Sequence, residues 1–96
     1  EAIRMSYYKI KWVSDPSHGW LQVSKTWIRE LNISSLISNF SYEDETNVFL
    51  EEDRDAPIFI RESHKAGYQI NFSAVPEIHY SGDAPVRSKD RFCNWR

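Results

Sequence analysis

The chain has 96 residues, of which 41% are hydrophobic and 15% aromatic; this length allows a single domain, residues 1–96, and this apolar content excludes intrinsic disorder. The formal net charge of −2 is not that of a dedicated nucleic-acid binder, which is usually basic. No apolar run is long enough to cross a membrane, no signal peptide is recognisable, and the lone Cys93 cannot form an internal disulfide, so we expect a cytoplasmic protein.

The N-terminal part predicts a pair of antiparallel strands. Residues 1–4 fit no pattern and are expected to be an extension ahead of a native start at Met5. Residues 7–13 alternate between apolar and polar side chains, which is typical of a half-buried strand. A turn follows at residues 15–19, and residues 20–23 are expected to pair back on the first strand.

A short helix is expected next. Ser24 is a suitable N-cap, and apolar residues recur at helical spacing up to Leu31. Asn32 is expected to end the helix in a left-handed conformation, because asparagine is the commonest residue after glycine in that role. One continuous helix over residues 25–39 is the alternative.

Residues 40–57, which we call the acidic segment, predict a hairpin that runs directly into a second helix. The hairpin turn is expected at residues 43–47. Asp53 or Asp55 is expected to cap the helix, with Pro57 in its first turn, where the missing N–H of proline does no harm.

Alternation returns at residues 68–75, which predict the last strand, and Pro76 ends it. Residues 81–96 form a loop-rich basic tail. The sequence therefore predicts an α+β fold, with a mainly antiparallel sheet of about five strands in the order β-β-α-β-β-α-β and two helices packed on one face.

Four stretches of the chain resemble a set of known proteins: HGWL at 18–21, FSY at 40–42, FLEEDRDA at 49–56 and APVRS at 84–88. Together they are similar to small uncharacterised proteins from bacteria, their phages and plasmids, over residues 15–91. The resemblance implies a bacterial or mobile-element setting, and it implies no catalytic activity.

Negative charge is concentrated in the middle of the chain, since residues 31–62 hold two arginines against eight acidic residues. This pattern favours a non-enzymatic module that presents an acidic surface to a protein partner, such as an inhibitor or modulator of host or defence machinery. The candidate partner-binding residues are Glu43, Asp44, Glu45, Glu51, Glu52, Asp53 and Trp20. The competing interpretation is that these acids form turns, cap a helix and face solvent.

A single-stranded nucleic-acid binder is the first alternative. The basic tail alternates cations with aromatic residues, a combination that can pair with phosphates and stack on bases. Its candidate residues are Arg87, Lys89, Arg91, Phe92 and Trp95. Alternatively, Arg87 and Arg91 fold back onto the acidic segment as intramolecular partners.

A small hydrolase is the second alternative, with His18, His79 and a carboxylate of the acidic segment brought together in space. The histidines have no metal-ligand spacing along the chain, so no metal or cofactor is expected, and each histidine also has a simpler role in a turn or on the surface. A homodimer is a further expectation, because an uncovered edge strand at residues 7–13 could pair with that of a second copy.

Overall fold

The computed structural model describes residues 10–68 and 70–93 (for Phe72, the backbone only). Its strands are β1 (Lys11–Ser14), β2 (Gly19–Ser24), β3 (Tyr42–Glu43), β4 (Asn47–Glu51), β5 (Glu77–His79) and β6 (Asp90–Arg91). Its helices are α1 (Lys25–Leu31) and α2 (Ala56–Lys65), and short 3₁₀ turns lie at Ser34–Leu36, Phe72–Ala74 and Pro85–Ser88. Neither α1 nor α2 is long and apolar enough to cross a membrane. The predicted α+β class is confirmed.

The strands form one sheet in the order β5-β1-β2-β4-β3-β6, and the sheet is mainly antiparallel, as predicted. The exception is β5, which lies parallel to β1. The central pair is β2 and β4, whose register places Leu21 opposite Leu50. The expected open edge at residues 7–13 is wrong for Trp12 and Val13, because β5 pairs with them and Trp12 donates a 2.8 Å backbone hydrogen bond to Pro76. Residues 7–9 lie outside the described part of the chain.

Helix α1 begins and ends as the sequence predicted. The Ser24 hydroxyl accepts a hydrogen bond from the backbone N–H of Thr26, which satisfies one of the unpaired donors of the first turn. Asn32 adopts the left-handed conformation, with φ 56° and ψ 47°. The alternative of one helix over residues 25–39 is wrong, because this residue closes the helix and the chain continues into a separate 3₁₀ turn.

The hairpin and the helix of the acidic segment are confirmed: β3 and β4 flank the predicted turn, and α2 begins at Ala56. Asp55 occupies the N-cap position, but its carboxylate makes no capping hydrogen bond. The side chain instead turns into the interior, where it is fully buried and accepts hydrogen bonds from Ser38 and Ser41. An acid expected to cap the helix with its side chain is therefore part of the core.

The strand predicted at residues 68–75 is wrong. Phe72–Ala74 forms a 3₁₀ turn, and the last part of the sheet comes from β5 and β6 further along the chain. The side chain of Asn71 accepts hydrogen bonds from the backbone N–H and the hydroxyl of Ser73. Such local side-chain bonds compete with a sheet ladder, so the alternating pattern here did not produce a strand.

Each face of the sheet carries its own cluster of buried apolar residues. The helix face is covered by α1 and α2, and its cluster includes Leu21, Val23, Val48, Leu50, Trp27 and Phe59. The opposite face, which we call the second face, buries Val13, Trp20 and Phe49 against Ala84 and Val86. Both helices thus pack on one face, as predicted, and residues 84–88 of the predicted tail form a third layer.

Candidate functional site

Residues 84–88, which we call the C-terminal layer, are held on the second face by Asp15, which lies in the turn between β1 and β2. The Asp15 carboxylate shapes that turn by accepting hydrogen bonds from the backbone N–H groups of Ser17 and His18, both at 3.0 Å. It also accepts a 2.9 Å bond from the Ala84 backbone and two from the Arg87 guanidinium, at 2.7 and 3.0 Å. One buried carboxylate therefore joins two segments that are distant in sequence.

The Asp15–Arg87 pair is bidentate and largely withdrawn from water, with side-chain exposures of 1% and 29%. The two hydrogen bonds from Arg87, aided by the Ala84 backbone N–H, hold the pKa of Asp15 far below its usual range, despite the opposing effect of burial. The same bonds raise the pKa of Arg87. This geometry fixes the Arg87 guanidinium 5.4 Å from the ring centroid of Trp20.

The sequence predicted that Trp20 is an exposed anchor for a partner, and the structure shows that this prediction is wrong. The Trp20 side chain is 2% exposed, because it lies between the sheet and the C-terminal layer. The exposed aromatic residue of this region is Phe40, at 53%. The aromatic part of the predicted surface is corrected accordingly, from Trp20 to Phe40.

A cleft of about 190 Å³ opens on the second face beside the Asp15–Arg87 pair. It is lined by His18, Trp20, Phe40, Tyr42, Glu51, Arg87 and Arg91. The four sequence stretches at 18–21, 40–42, 49–56 and 84–88 each contribute at least one of these residues. The fold therefore brings together side chains that are up to 73 positions apart in sequence numbering, between His18 and Arg91.

Arginine side chains stack on the aromatic rings around this cleft. The Arg91 guanidinium lies 4.5 Å from the ring centroid of Tyr42 and donates a 3.2 Å hydrogen bond to the Asn39 carbonyl. The Arg54 guanidinium lies 4.5 Å from the ring centroid of Phe40. Stacking restricts these long side chains while their charged edges stay in reach of solvent, which suits them to bind a ligand. The sequence did not predict the contact between Phe40 and Arg54, because each residue was assigned only a local structural role.

The acids of the predicted partner surface separate into two groups at opposite ends of β4, roughly 15 Å apart at the usual rise of a strand. Glu43 ends β3, and Asp44 and Glu45 lie in the hairpin turn, whereas Glu51 ends β4, and Glu52 and Asp53 follow it. The acidic segment thus presents two separate surfaces instead of one.

The turn group is largely engaged within the protein. Glu43 forms a 3.1 Å salt bridge with Lys25 and accepts a hydrogen bond from the Cys93 backbone. Burial opposes ionisation of Asp44, but hydrogen bonds from the Asn47 and Thr46 backbones and from Lys89 outweigh it and lower the pKa. Glu45 is exposed.

The group at the other end of β4 is more open. Glu52 and Asp53 are exposed, and Glu51 is half-buried, with its carboxylate accepting a 3.0 Å hydrogen bond from the Asp53 backbone. These residues directly precede Arg54, whose guanidinium lies over the ring of the exposed Phe40. The Glu52 carboxylate itself lies close to Gly19 and lines a separate depression with Glu77. Arg54 is therefore the residue that connects this end of the strand to Phe40.

Most of the predicted nucleic-acid residues have other partners. Lys89 lies 3.2 Å from Asp44, and Phe92 is 2% exposed within the cluster of the helix face. Trp95 lies outside the described residues. The idea that Arg87 and Arg91 fold back on the acidic segment is right for Arg91, which lies over Tyr42 of that segment, and wrong for Arg87, which binds Asp15.

The two histidines of the hydrolase hypothesis lie on opposite faces of the sheet. The His18 ring lies 6.0 Å from that of Trp20, on the second face. His79 lies within hydrogen-bond distance (2.9 Å) of the Ser14 hydroxyl, and Ser14 shares its face of β1 with Trp12, which packs against the helix-face cluster. The predicted constellation is therefore not assembled. Across residues 10–68 and 70–93, no group of three or more His, Cys, Asp or Glu residues could hold a metal ion.

Comparison with protein families, with curated proteins and with solved structures finds no match to this chain. The cleft and the surface around Phe40 are therefore interpreted from their own geometry.

Proposed function

We propose that the protein is a small non-enzymatic interaction module that binds a protein partner through the surface formed by Phe40, Glu52, Asp53 and Arg54, which we call the Phe40 surface. The observation that carries the proposal is the exposure of Phe40. This ring is 53% exposed, whereas Phe49, Phe59 and Phe92 are at most 4% exposed. Exposed aromatic and arginine side chains are the residue types that most often anchor protein interfaces.

The charges around Phe40 favour a partner with a basic surface. Glu52 and Asp53 are exposed at the end of β4, directly before Arg54 in the sequence, and neither side chain has a salt bridge among the described residues. Carboxylates at the rim of an apolar anchor select partners by charge and speed their association. The surface thus keeps the acidic, aromatic character expected from the sequence, at one end of β4.

The setting that we propose is the cytoplasm of a bacterium, in connection with a phage or another mobile element, where the protein would inhibit or modulate host or defence machinery. Support comes from the resemblance of the four sequence stretches and from the single cysteine, Cys93, which is a free thiol.

Matched single substitutions can test this surface. The tagged protein and its Phe40→Ser and Glu52→Lys variants would be used to capture partners from a bacterial lysate. The controls are Leu36→Ser, which removes another apolar residue that is 46% exposed, and Glu45→Lys, which reverses an exposed acid at the other end of β4. Analytical ultracentrifugation of the purified protein would first establish whether the partner is a second copy.

We expect Phe40→Ser and Glu52→Lys to lose a captured protein that both control variants retain. Circular dichroism would confirm that all four variants are folded. Capture of the same proteins by every variant, or equal losses in the controls, would remove the Phe40 surface from the account.

A further inference from the structure

We infer that the cleft on the second face binds single-stranded nucleic acid, with one backbone phosphate between Arg87 and Arg91 and the adjoining base against Phe40. This activity shares Phe40 with the proposed docking surface, but the inference does not depend on docking of a protein partner. It also differs from the binder expected from the sequence, because the site is a cleft built from four segments of the chain instead of an extended basic tail.

The two guanidinium groups are held in place before any ligand arrives. Asp15 is 1% exposed and binds Arg87 through two of its nitrogen atoms, which orients the side chain where it lines the cleft. The Arg91 guanidinium stacks on Tyr42 and uses one nitrogen for the Asn39 carbonyl. A planar guanidinium that is already oriented offers its remaining N–H groups to phosphate oxygens with little further loss of freedom.

The size of the cleft limits what can enter it. At about 190 Å³ it is smaller than the usual pockets for whole small-molecule ligands. A phosphate group fits, and the attached sugar and base must remain outside. Phe40, which lines the cleft and is 53% exposed, is the ring on which a base would stack.

The charges of the cleft favour a singly charged phosphate. The charge of Arg87 is balanced by Asp15, and Glu51 lines the cleft together with Arg91. With two arginines in the lining, one paired with Asp15 and the other beside Glu51, the cleft has too little excess positive charge for a triphosphate. The phosphodiester of a nucleic-acid backbone carries a single negative charge. A duplex is disfavoured because its bases are already stacked and paired.

Fluorescence anisotropy with labelled oligonucleotides tests the inference. The protein would be titrated into an eight-nucleotide single strand and into a hairpin duplex, at low salt and at increasing salt. Since about one phosphate is bound, we expect the logarithm of the association constant to fall with a slope of roughly −0.7 against the logarithm of the salt concentration. Three independent tail cations would give a slope about three times as steep.

Arg91→Gln is the diagnostic variant, because Arg91 lies outside the Phe40 surface. We expect it to weaken binding at least about tenfold, the usual scale for losing a charge-assisted contact. The matched control is Arg61→Gln on α2, an exposed arginine with the same change of charge, and it should change binding less than about twofold. Should Arg91→Gln fail to fold, Arg91→Lys keeps the charge but loses the planar fork, and it should still weaken binding.

Several results would overturn the inference: no binding at low salt, equal affinity for the duplex, or equal losses in Arg91→Gln and Arg61→Gln. Competition by inorganic phosphate or phosphotyrosine as effective as that by the unlabelled strand would assign the cleft to another phosphorylated ligand. If partner capture by the Phe40 surface fails while Arg91 still governs strand binding, the inference stands and the proposed function does not.

Discussion

The two faces of the sheet bury their apolar side chains in different ways. The helix face is closed by α1 and α2, and fourteen buried residues of the described part of the chain form its cluster, among them Trp27 and Phe59 with their rings edge to face at 5.6 Å. On the second face, five of the described residues form the buried cluster, which is closed by a short segment that Asp15 holds through Arg87. The difference indicates that the helix face supplies most of the stability, while the second face leaves a polar cleft open beside its smaller cluster.

The largest effect is expected on the helix face. Phe59→Ala removes a ring that is 0% exposed, and we expect the free energy of unfolding to fall by about 3–5 kcal/mol. Val86→Ala makes the corresponding change on the second face, where a smaller side chain is 2% exposed, and should cost about 1–2 kcal/mol. Urea denaturation measures both changes. Equal losses, or a larger loss for Val86→Ala, would contradict the assignment of stability to the helix face.

The next effect concerns Asp55, the buried acid beside that face. Asp55→Ala leaves the Ser38 backbone N–H and the hydroxyls of Ser38 and Ser41 without their acceptor, so we expect a loss of about 2–3 kcal/mol. Asp53→Ala, two positions earlier and exposed, should change stability by less than about 0.5 kcal/mol. Thermal unfolding of the two variants compares them. A small effect at Asp55 would mean that the buried hydrogen bonds are replaced when it is removed.

The third prediction concerns the second face, whose stability should depend on pH through the ionisation of Asp15. The pKa of Asp15 is lower in the folded state than its unfolded value of about 3.9, so its contribution is complete above that pH and is lost as the pH falls below it. The free energy of unfolding should therefore decline as the pH falls below about 4, whereas the indole N–H resonance of Trp20 in the folded protein should keep its position well below pH 4, because Asp15 stays ionised there.

Two variants test the role of Asp15 in that titration. Asp15→Asn should shift the Trp20 resonance already at neutral pH, and it should remove the part of the acid-induced loss of stability that comes from Asp15. Asp83→Asn removes a second carboxylate near Arg87. The Asp83 side chain is 91% exposed and its Oδ1 lies 3.8 Å from the Arg87 Nε, so this variant should behave like the unmodified protein. If both variants respond to acid in the same way, the pairing of Asp15 with Arg87 does not close the second face.

The smallest effect is expected for the ion pair that joins the C-terminal segment to the hairpin turn. Lys89 lies 3.2 Å from Asp44, and both side chains are about one-third exposed. Lys89→Ala should therefore cost only about 0.5 kcal/mol. Lys65→Ala, at a 69% exposed lysine on α2, provides the comparison and should cost less. A loss of more than about 1.5 kcal/mol at Lys89 would place a larger share of stability on the second face than the account allows.

The comparison also explains which features could be predicted from the sequence. The ends of α1 depend on Ser24 and Asn32, whose side-chain and backbone preferences act within a few residues, so local patterns identify them. The Asp15–Arg87 pair joins positions 72 residues apart, and no local pattern indicates it. The cleft was missed for that reason, although most of its side chains had been noticed singly.

The wrong strand at residues 68–75 has a different cause. Alternating apolar and polar residues predict a strand, but Asn71 bonds locally to Ser73 and the chain joins the sheet only at Glu77. The parallel pairing of β5 with β1 then covers the strand expected at the edge. Parallel pairing depends on how distant segments of the chain return to the sheet. The alternation of apolar and polar residues within one segment carries no information about that return.

A titration of the ¹⁵N-labelled protein with a single-stranded oligonucleotide, followed by NMR, tests the division of roles between the two faces most directly. We expect the shifts to concentrate at His18, Phe40, Tyr42 and Arg91, with the resonances of α1 and α2 unchanged. Shifts centred on the helices, or an unchanged spectrum at low salt, would contradict it.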